Sequence, residues 1–227
     1  AARNAWTALG VLLVVYLVNF MDRQVFAVLQ EEFRTDLNLS DSQLALLGGT
    51  AFALFYATLG IPIAILADRT NRVRLIAAAC VVWSVFTALS GMASNFIQML
   101  LARIGVASGE AGGVSPSYSV LSDYFPPSKR AFAIGLFSVG APLGLTAGSA
   151  LGAFIADALS WRWAFVLVGL PGVLLALVLV VLVKEPRRGM FDTEALRAQK
   201  ANALGALKLV FATPSLRLFT AAAAVTS

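Results

Sequence analysis

The sequence predicts an all-α protein whose helices cross a membrane, and two observations carry this prediction. Of its 227 residues, 59% are hydrophobic and only 13% are charged. The hydrophobic residues form runs close to the ~20 residues that a helix needs to cross a bilayer. Stretches such as residues 73–93 are also apolar on every helical face, whereas a soluble helix pairs an apolar stripe with a polar face. We therefore expect helices that are surrounded by lipid.

Six segments are long and apolar enough to be membrane-spanning helices. They are residues 5–29, 43–66, 75–93, 96–120, 131–156 and 163–183. The first run carries Asp22 and Arg23 where a secretory signal would have a small-residue cleavage site, so we interpret it as a retained helix. Residues 1–183 are thus predicted to form a six-helix transmembrane bundle.

The remaining residues divide into a polar linker and a new apolar run. Residues 184–215 carry hydrophobic side chains at roughly helical spacing, which indicates an amphipathic helix on a membrane surface. Residues 216–227 are expected to begin a seventh span. Six spans, a linker and a seventh span are typical of one half of a two-bundle secondary transporter, so we expect a C-terminal half of the same transporter as partner.

Basic residues mark one side of the predicted bundle. The loops after the second, fourth and sixth spans hold Arg69, Arg72, Arg74, Lys129, Arg130, Lys184, Arg187 and Arg188. The opposite loops hold only Arg34 and Arg162 among the arginines and lysines. The positive-inside rule therefore places the N-terminus in the cytoplasm of a multi-pass protein, with a bacterial inner membrane as the expected location. Because the basic residues border membrane spans, the net charge of +5 is explained by this topology, and we expect no nucleic-acid partner. We also expect a monomer.

Residue types that are absent exclude several functions. The chain has one cysteine, Cys80, and no histidine, so it offers no imidazole for a catalytic pair and no thiolate or imidazole cluster for a metal. It also has no glycine-rich phosphate loop for ATP. We expect neither an enzyme nor a cofactor or metal site, and any coupling proton must be carried by a carboxylate.

Four ionisable residues lie inside the predicted spans: Asp22, Arg23, Arg103 and Glu110. Such charges are costly and usually functional. Helix rise places Asp22 and Arg103 each ~10 Å from the outer side, so the two are expected to meet, with Glu110 ~10 Å deeper on the same face as Arg103. We predict Asp22 and Glu110 as proton-coupling residues. The alternatives are a purely structural Asp22–Arg103 pair and a Glu110 held neutral by a backbone carbonyl.

Aromatic residues accompany these arginines on the first two spans. We predict a substrate site formed by Arg23, Arg103, Phe20, Phe26, Phe52, Phe55 and Tyr56. Cationic donors beside an apolar wall suit an anionic head joined to a hydrocarbon tail. For each single aromatic residue, plain packing is the alternative.

Two further features predict gating and helix packing. In the loop Asp68-Arg-Thr-Asn-Arg72, we expect Asp68 to cap the incoming helix, and Arg69 and Arg72 to hold it at the membrane surface. In the fifth predicted span, Pro142 removes a backbone donor and is expected to bend the helix. Glycines at four-residue spacing in the fourth and fifth predicted spans indicate close helix contacts; they are Gly105, Gly109, Gly113, Gly140, Gly144, Gly148 and Gly152.

These motifs resemble the major facilitator superfamily and, within it, the Spinster-like branch. The superfamily pattern Gly-x-x-x-Asp-Arg-x-Gly-Arg-x-Arg is matched at Asp68, Arg69, Arg72 and Arg74, with Ala64 and Asn71 replacing its glycines. The Spinster-like motifs are Asn19-Phe-Met-Asp22-Arg23-Gln24, Gly60-Ile-Pro62, Asp68-Arg-Thr-Asn71-Arg72, Arg103-Ile-Gly-Val-Ala-Ser-Gly-Glu110-Ala, Asp123-Tyr-Phe-Pro-Pro and Trp161-Arg-Trp-Ala-Phe.

The resemblance implies alternating-access, proton-coupled transport of an amphipathic lipid such as a lysophospholipid or sphingoid phosphate. It assigns protonation to Asp22 and Glu110, headgroup binding to Arg23 and Arg103, and gating to Asp68. Two other functions remain open: a proton-coupled organic-anion symporter, and a non-transporting membrane receptor or scaffold.

Overall fold

The computed structural model describes residues 2–191, 212 and 213, and this part of the chain is helical without strands. Within residues 2–191, ten α-helices follow one another, with a π-helical turn at Leu46–Thr50 before α4. They are α1 (Ala2–Val28), α2 (Gln30–Asp36), α3 (Asp41–Ala45), α4 (Ala51–Arg69), α5 (Arg72–Ser90), α6 (Phe96–Glu110), α7 (Val114–Tyr124), α8 (Pro127–Ser138), α9 (Gly140–Ala158) and α10 (Trp161–Leu182).

Five of the six predicted spans are confirmed as helical segments long and apolar enough to cross a membrane. They are Asn4–Val28, Asp41–Arg69, Arg72–Ser90, Pro127–Ala158 and Trp161–Leu182. The second of these includes α3, the π-helical turn and α4. Only 11% of its most apolar stretch is buried within the described chain. Its large side chains therefore face outward, Leu54 being 61% and Ile61 55% exposed. The predicted seventh span, residues 216–227, lies outside the described residues. Of the predicted amphipathic linker, residues 184–191 are described and form no helix, whereas residues 192–211 lie outside the described part.

The prediction of one continuous helix over residues 96–120 is wrong. The segment is divided into α6 and α7 by a turn at residues 111–113, in which the amides of Gly112 and Gly113 bond to the carbonyls of Gly109 and Glu110 at 2.9 and 3.0 Å. Pro116 supplies the reason, because it has no amide hydrogen to donate to the Gly112 carbonyl one helical turn earlier. The two adjacent glycines also weaken the helix at this point.

The interruption expected at Pro142 lies three residues earlier. The helix is interrupted at Val139, between α8 and α9. Pro142 occupies the first turn of α9, where a missing amide hydrogen is tolerated. Pro142 has no amide hydrogen to donate to the Ser138 carbonyl four residues earlier, just as Pro116 has none for Gly112, so it accounts for the interruption at Val139 within the Pro127–Ala158 span.

The glycine spacing of α9 sets its packing against α1, as predicted. A methyl group at Gly144 would lie 2.2 Å from the Leu17 carbonyl oxygen, and one at Gly148 would lie 2.7 Å from that of Met21. In α6, a methyl group at Gly109 would lie 2.5 Å from the backbone nitrogen of Trp83 in α5. Only glycine permits such close backbone approach.

The loops predicted to share one side do meet. At one end, which we call the basic end, the α4–α5 loop, the end of α7 and the segment after α10 are joined through Arg72, Asp123 and Glu185. At the opposite end, Arg162 donates to the carbonyl of Ala93 at 2.5 Å and to Asp36 Oδ2 at 2.7 Å. The bundle therefore has the alternating up-and-down order that the charge distribution predicts.

Candidate functional site

A buried ion pair joins α1 to α6 in the middle of the bundle. The Arg23 Nε donates to Glu110 Oε2. The Glu110 side chain is fully buried, whereas that of Arg23 is 28% exposed. Glu110 occupies the last position of α6 because the chain turns immediately after it. One oxygen of this carboxylate is thus neutralised, while its other oxygen, Oε1, has no hydrogen-bond partner in the described chain.

Aromatic rings surround the guanidinium of Arg23. Its Cζ lies 5.2 Å from the ring centre of Phe20, 5.0 Å from that of Phe52 and 5.1 Å from that of Tyr56. Phe52 and Tyr56 stack on each other with centroids 6.0 Å apart, as their one-turn spacing on α4 allows. Cation–π contacts at these distances stabilise an arginine that has left water.

Arg103 lies against two rings of the same group. Its Cζ is 3.9 Å from the centre of Phe26 and 4.7 Å from that of Phe52, and the residue is only 5% exposed. Its Nε points to the carbonyl of Leu47 at 3.5 Å, which is at the limit of a hydrogen bond. We call Arg23, Arg103, Phe20, Phe26, Phe52 and Tyr56 the arginine–aromatic cluster.

The expected contact between Asp22 and Arg103 is wrong. Asp22 Oδ2 accepts from Thr87 Oγ1 of α5 at 3.3 Å, and Asp22 belongs to none of the ion pairs of the described residues. Depth along a helix does not fix the direction in which a side chain points. Asp22 faces α5, whereas its neighbour Arg23 is turned toward α6 and takes the carboxylate.

Two predicted aromatic residues differ in their surroundings. Phe26 contacts Arg103 and also packs in the hydrophobic core, whereas Phe55 has no described contact with either arginine. Phe26 is 3% exposed and packs against Phe33 and Phe165 as well as Arg103. It also lines a hollow of about 410 Å³ that opens between α1, α3 and the π-helical turn. Phe55 is half-buried on α4. The structure thus brings six of the seven predicted substrate residues together.

A second polar cluster lies at the basic end. Arg72 donates through Nε to Glu185 Oε1 at 2.7 Å and through Nη1 to Asp123 Oδ2 at 2.5 Å. It also reaches Ser119 Oγ at 2.8 Å and the Pro186 carbonyl at 3.2 Å. With its side chain only 3% exposed, Arg72 joins three segments of the chain. The expectation that Arg72 holds the loop at a membrane surface is wrong, because its partners bury it.

The segment after α10 adds further contacts to this cluster. Arg188 Nη2 donates to the carbonyls of Ala67 and Thr70, each at 2.5 Å, and the Gly189 amide donates to Asp123 Oδ1 at 2.9 Å. The Tyr124 hydroxyl donates to the Lys184 carbonyl. The beginning of the predicted linker is therefore docked against the α4–α5 loop.

The expected cap of the incoming helix by Asp68 is wrong, and Asp68 does not cap the start of α5 either. That role belongs to Asn71, whose side chain accepts from the Arg74 amide at 2.8 Å. Asp68 and Arg69 are the last two residues of α4. Both are exposed, and neither forms an ion pair inside the described chain. Their side chains are thus open to groups outside the described residues.

Sequence reasoning assigned no role to several residues of these clusters. Thr87 was detectable as a hydroxyl within an apolar span, and Glu185 as an acid inside a basic run. Asp123 was part of a family motif but was not linked to Arg72. Pairings of this kind depend on which helices pack together, and no local pattern reports that.

The family model for the Major Facilitator Superfamily matches residues 12–227. The chain belongs to this superfamily. Its members are membrane transporters rather than enzymes, and the chain is an integral multi-pass membrane protein. The matching loop contains Asp68, Arg72 and Arg74, whose surroundings are described above.

The similarity to one solved structure identifies the branch. A bacterial homologue of the human lysosomal transporter Spinster, in an inward-facing and unoccupied conformation, is 37% identical and superposes with a TM-score of 0.84, covering 94% of this chain and 50% of that one. This major facilitator is thus similar to Spinster-like proteins over nearly all of its length. The superposition also confirms the N-terminal six-helix bundle as the fold.

Curated relatives cover several transport activities. An MFS-type efflux pump of Mycolicibacterium smegmatis is 37% identical over 79% of this chain and 42% of its own. A hexuronate transporter of Bacillus subtilis is 30% identical over 84% and 46%. The sphingosine-1-phosphate transporter SPNS2 of Danio rerio is 28% identical over 84% and 38%. The chain therefore spans less than half the length of these relatives.

Proposed function

We propose that this chain is the N-terminal half of a proton-coupled secondary transporter that moves an amphipathic, anionic or zwitterionic lipid by alternating access. The arginine–aromatic cluster is the observation that supports this proposal. It offers two guanidinium groups within one aromatic wall, one of them partly exposed. An anionic headgroup would bind the arginines, and its hydrocarbon chain would lie on the rings and in the adjacent hollow.

Proton coupling is proposed for the two buried carboxyl groups. Asp22 is 2% exposed and, among the described residues, has only the Thr87 hydroxyl as a hydrogen-bond partner, so protonation would remove a costly buried charge. Glu110 and Arg23 would separate when the carboxyl takes up a proton, which frees Arg23 for a substrate anion. Protonation and substrate binding would therefore be linked through one ion pair.

Gating is proposed for the basic end. Arg72 and its partners fix the α4–α5 loop, while Asp68 and Arg69 are free to contact the C-terminal half when the inner side closes. The exposed face of α4 is available for the same partner. We further propose a bacterial inner membrane location with a cytoplasmic N-terminus, a monomer, and an amphipathic linker over residues 184–215 followed by a seventh span.

An organic-anion symporter is the second candidate, since it is favoured by the similarity to the hexuronate transporter. It would use the same arginines but leave the wall of Phe20, Phe26 and Phe52 without a partner. A receptor or scaffold would need neither the buried carboxyl groups of Asp22 and Glu110 nor a gate that opens to one side of the membrane. The lipid proposal is preferred because it uses both the charges and the rings.

Transport by the full-length protein in proteoliposomes tests these functions. Uptake of a labelled lysophospholipid is measured with and without an inward proton gradient, in competition with lipids of one headgroup and increasing chain length. Each added methylene should strengthen binding by up to ~0.8 kcal/mol until the cavity is filled. Arg103→Gln should lose competition by every member of the series.

Arg74→Gln is the matched control, because Arg74 is an exposed arginine at the basic end and its substitution should leave competition unchanged. Competition that depends on Arg103 but ignores chain length would establish the organic-anion function. Binding without uptake under any gradient would indicate a receptor.

A further inference from the structure

Asn19 lies one helical turn before Arg23 on α1, the helix that supplies the ion-pair partner of Glu110. Residues four apart in an α-helix share a face, so Asn19 and Arg23 are directed to the same side of α1. The Asn19 side chain is a hydrogen-bonding neighbour of the Glu110 carboxyl group, and the residue is only 2% exposed. Its carboxamide is therefore a second polar group that α1 brings to this buried carboxyl.

The hydrogen bond between these two side chains is not closed in this structure. Asn19 Oδ1, Asn19 Nδ2 and Glu110 Oε1 are all buried, and none of the three forms a hydrogen bond within the described residues. Glu110 Oε2, in contrast, accepts from Arg23. Buried polar atoms without partners are unfavourable, above all in a membrane interior. The carboxamide of Asn19 and the free oxygen of Glu110 can each satisfy the other.

A carboxamide suits a neighbour that gains and loses a proton. The Nδ2 of asparagine donates hydrogen bonds and its Oδ1 accepts them, whereas a guanidinium group only donates. An ionised Glu110 can therefore accept from both Asn19 and Arg23. A protonated Glu110 has a hydroxyl to donate, and Asn19 Oδ1 can accept it once the carboxamide has turned by half a rotation. Asn19, unlike Arg23, can thus serve both protonation states of Glu110.

We propose that Asn19 is a positioning residue for the Glu110 carboxyl group: its Nδ2–H donates to Oε1 of the carboxylate, and its Oδ1 accepts from the protonated carboxyl after Arg23 has separated. This role rests on the proposed proton coupling at Glu110. Asn19 keeps the carboxyl group hydrogen-bonded while Arg23 is free to bind a substrate anion. The proton can therefore be held in a buried position without leaving the carboxyl group unpaired.

The other charges near Glu110 are unchanged by a substitution of Asn19. The titratable and charged side chains around Glu110 and its partner belong to α1, α4 and α6; they are Asp22, Arg23, Arg103 and Tyr56. The neighbouring helix α5 contacts this end of α6 through Ala79 and Trp83. A changed pH response in an Asn19 variant therefore reports the loss of the carboxamide.

Infrared difference spectroscopy of the full-length protein in nanodiscs, recorded over a series of pH values, tests this role. Protonated Glu110 should give a carboxyl C=O band that is absent in Glu110→Gln. Asn19→Leu keeps a similar shape without polar atoms, and the midpoint of this band should rise by about one pH unit. The reason is that a hydrogen bond to a charged group is stronger than one between neutral groups, so the ionised form loses more.

Two further variants separate this role from packing. Asn19→Ala removes the amide without adding methyl groups, so its midpoint should move in the same direction even if Asn19→Leu does not fold. Ser84→Ala is the matched control, because Ser84 is a buried polar residue that lies against Gly172 of α10, and its midpoint should equal that of the wild type.

The outcomes distinguish this role from the proposed function. A wild-type midpoint in Asn19→Leu and Asn19→Ala, with or without a higher melting temperature, overturns the role of Asn19 and leaves proton coupling at Glu110 intact. A wild-type spectrum without any band that depends on Glu110 overturns both.

Discussion

Arg23 of α1 and Glu110 at the end of α6 form an ion pair between two helices that are 87 residues apart in the chain. Glu110 is fully buried, while Arg23 keeps part of its side chain exposed among aromatic rings. The pair therefore joins the interior of the bundle to the surface on which a substrate is proposed to bind.

Removing one partner of this pair should cost more than removing both. Glu110→Gln leaves Arg23 without its counter-ion, and we expect a loss of about 2 kcal/mol in the free energy of unfolding, below the 3–5 kcal/mol of fully buried pairs because Arg23 is 28% exposed. The double variant Arg23→Gln with Glu110→Gln should recover part of this loss.

Unfolding of the four proteins in detergent, followed by circular dichroism, gives the coupling free energy of the cycle. Asp41→Asn is the control, since it breaks the exposed Arg34–Asp41 pair and should change stability by less than ~1 kcal/mol. A coupling free energy near zero for Arg23 and Glu110 would contradict the importance of the pair.

Asp22→Asn should uncouple transport from the proton gradient. The amide keeps the shape and the hydrogen bond to Thr87 but takes up no proton. Substrate exchange without a gradient should persist, while stimulation by an inward proton gradient should be lost in proteoliposomes. Asp36→Asn, at an exposed acid of the opposite end, should retain the stimulation. Unchanged gradient dependence in Asp22→Asn would show that another group carries the proton.

Gly144→Ala should disrupt the packing of α9 on α1. The added methyl group would lie 2.2 Å from the Leu17 carbonyl oxygen, so the helices must move apart, at a cost of about 1–3 kcal/mol or more. The melting temperature should fall. Gly135→Ala in α8 is the matched control, because no atom lies within 4 Å of its new methyl group.

In this control, the higher helix propensity of alanine should raise stability by about 0.5–1 kcal/mol. Equal melting temperatures for Gly144→Ala and Gly135→Ala would contradict the close approach of α1 and α9.

Arg72→Lys should loosen the basic end while preserving its charge. Lysine lacks the planar fork with which Arg72 reaches Asp123, Glu185 and the Pro186 carbonyl together. The buried carboxylate of Asp123 and the partly exposed one of Glu185 would then be incompletely paired, and the inward-open population should rise. Accessibility of a cysteine introduced near this end to a membrane-impermeant thiol reagent measures that population.

Arg74→Lys makes the same substitution at an exposed arginine of the same loop, and its labelling should match the wild type. If Arg72→Lys also labels like the wild type, the cluster serves stability alone and has no part in gating.

The sequence by itself determined the membrane setting, the number and order of most spans, the side on which the basic loops gather, and the glycine faces of α6 and α9. Each of these features is determined by a short stretch of sequence. Apolar length reports a span, basic loops report a side, and four-residue spacing reports a helix face. It also identified the four charged residues Asp22, Arg23, Arg103 and Glu110 inside the spans, because an ionisable residue inside an apolar run is conspicuous without any structure.

Only the tertiary structure decided how these charges are paired. Depth along the helices favoured Asp22 with Arg103, but the rotation of α1 turns Arg23 toward Glu110 and Asp22 toward Thr87. The burial of Arg72 likewise depends on Asp123 and Glu185, which arrive from distant parts of the chain. Helix rise fixes height from sequence, whereas the azimuth of each helix is set by packing against its neighbours, and that packing chooses each charge's partner.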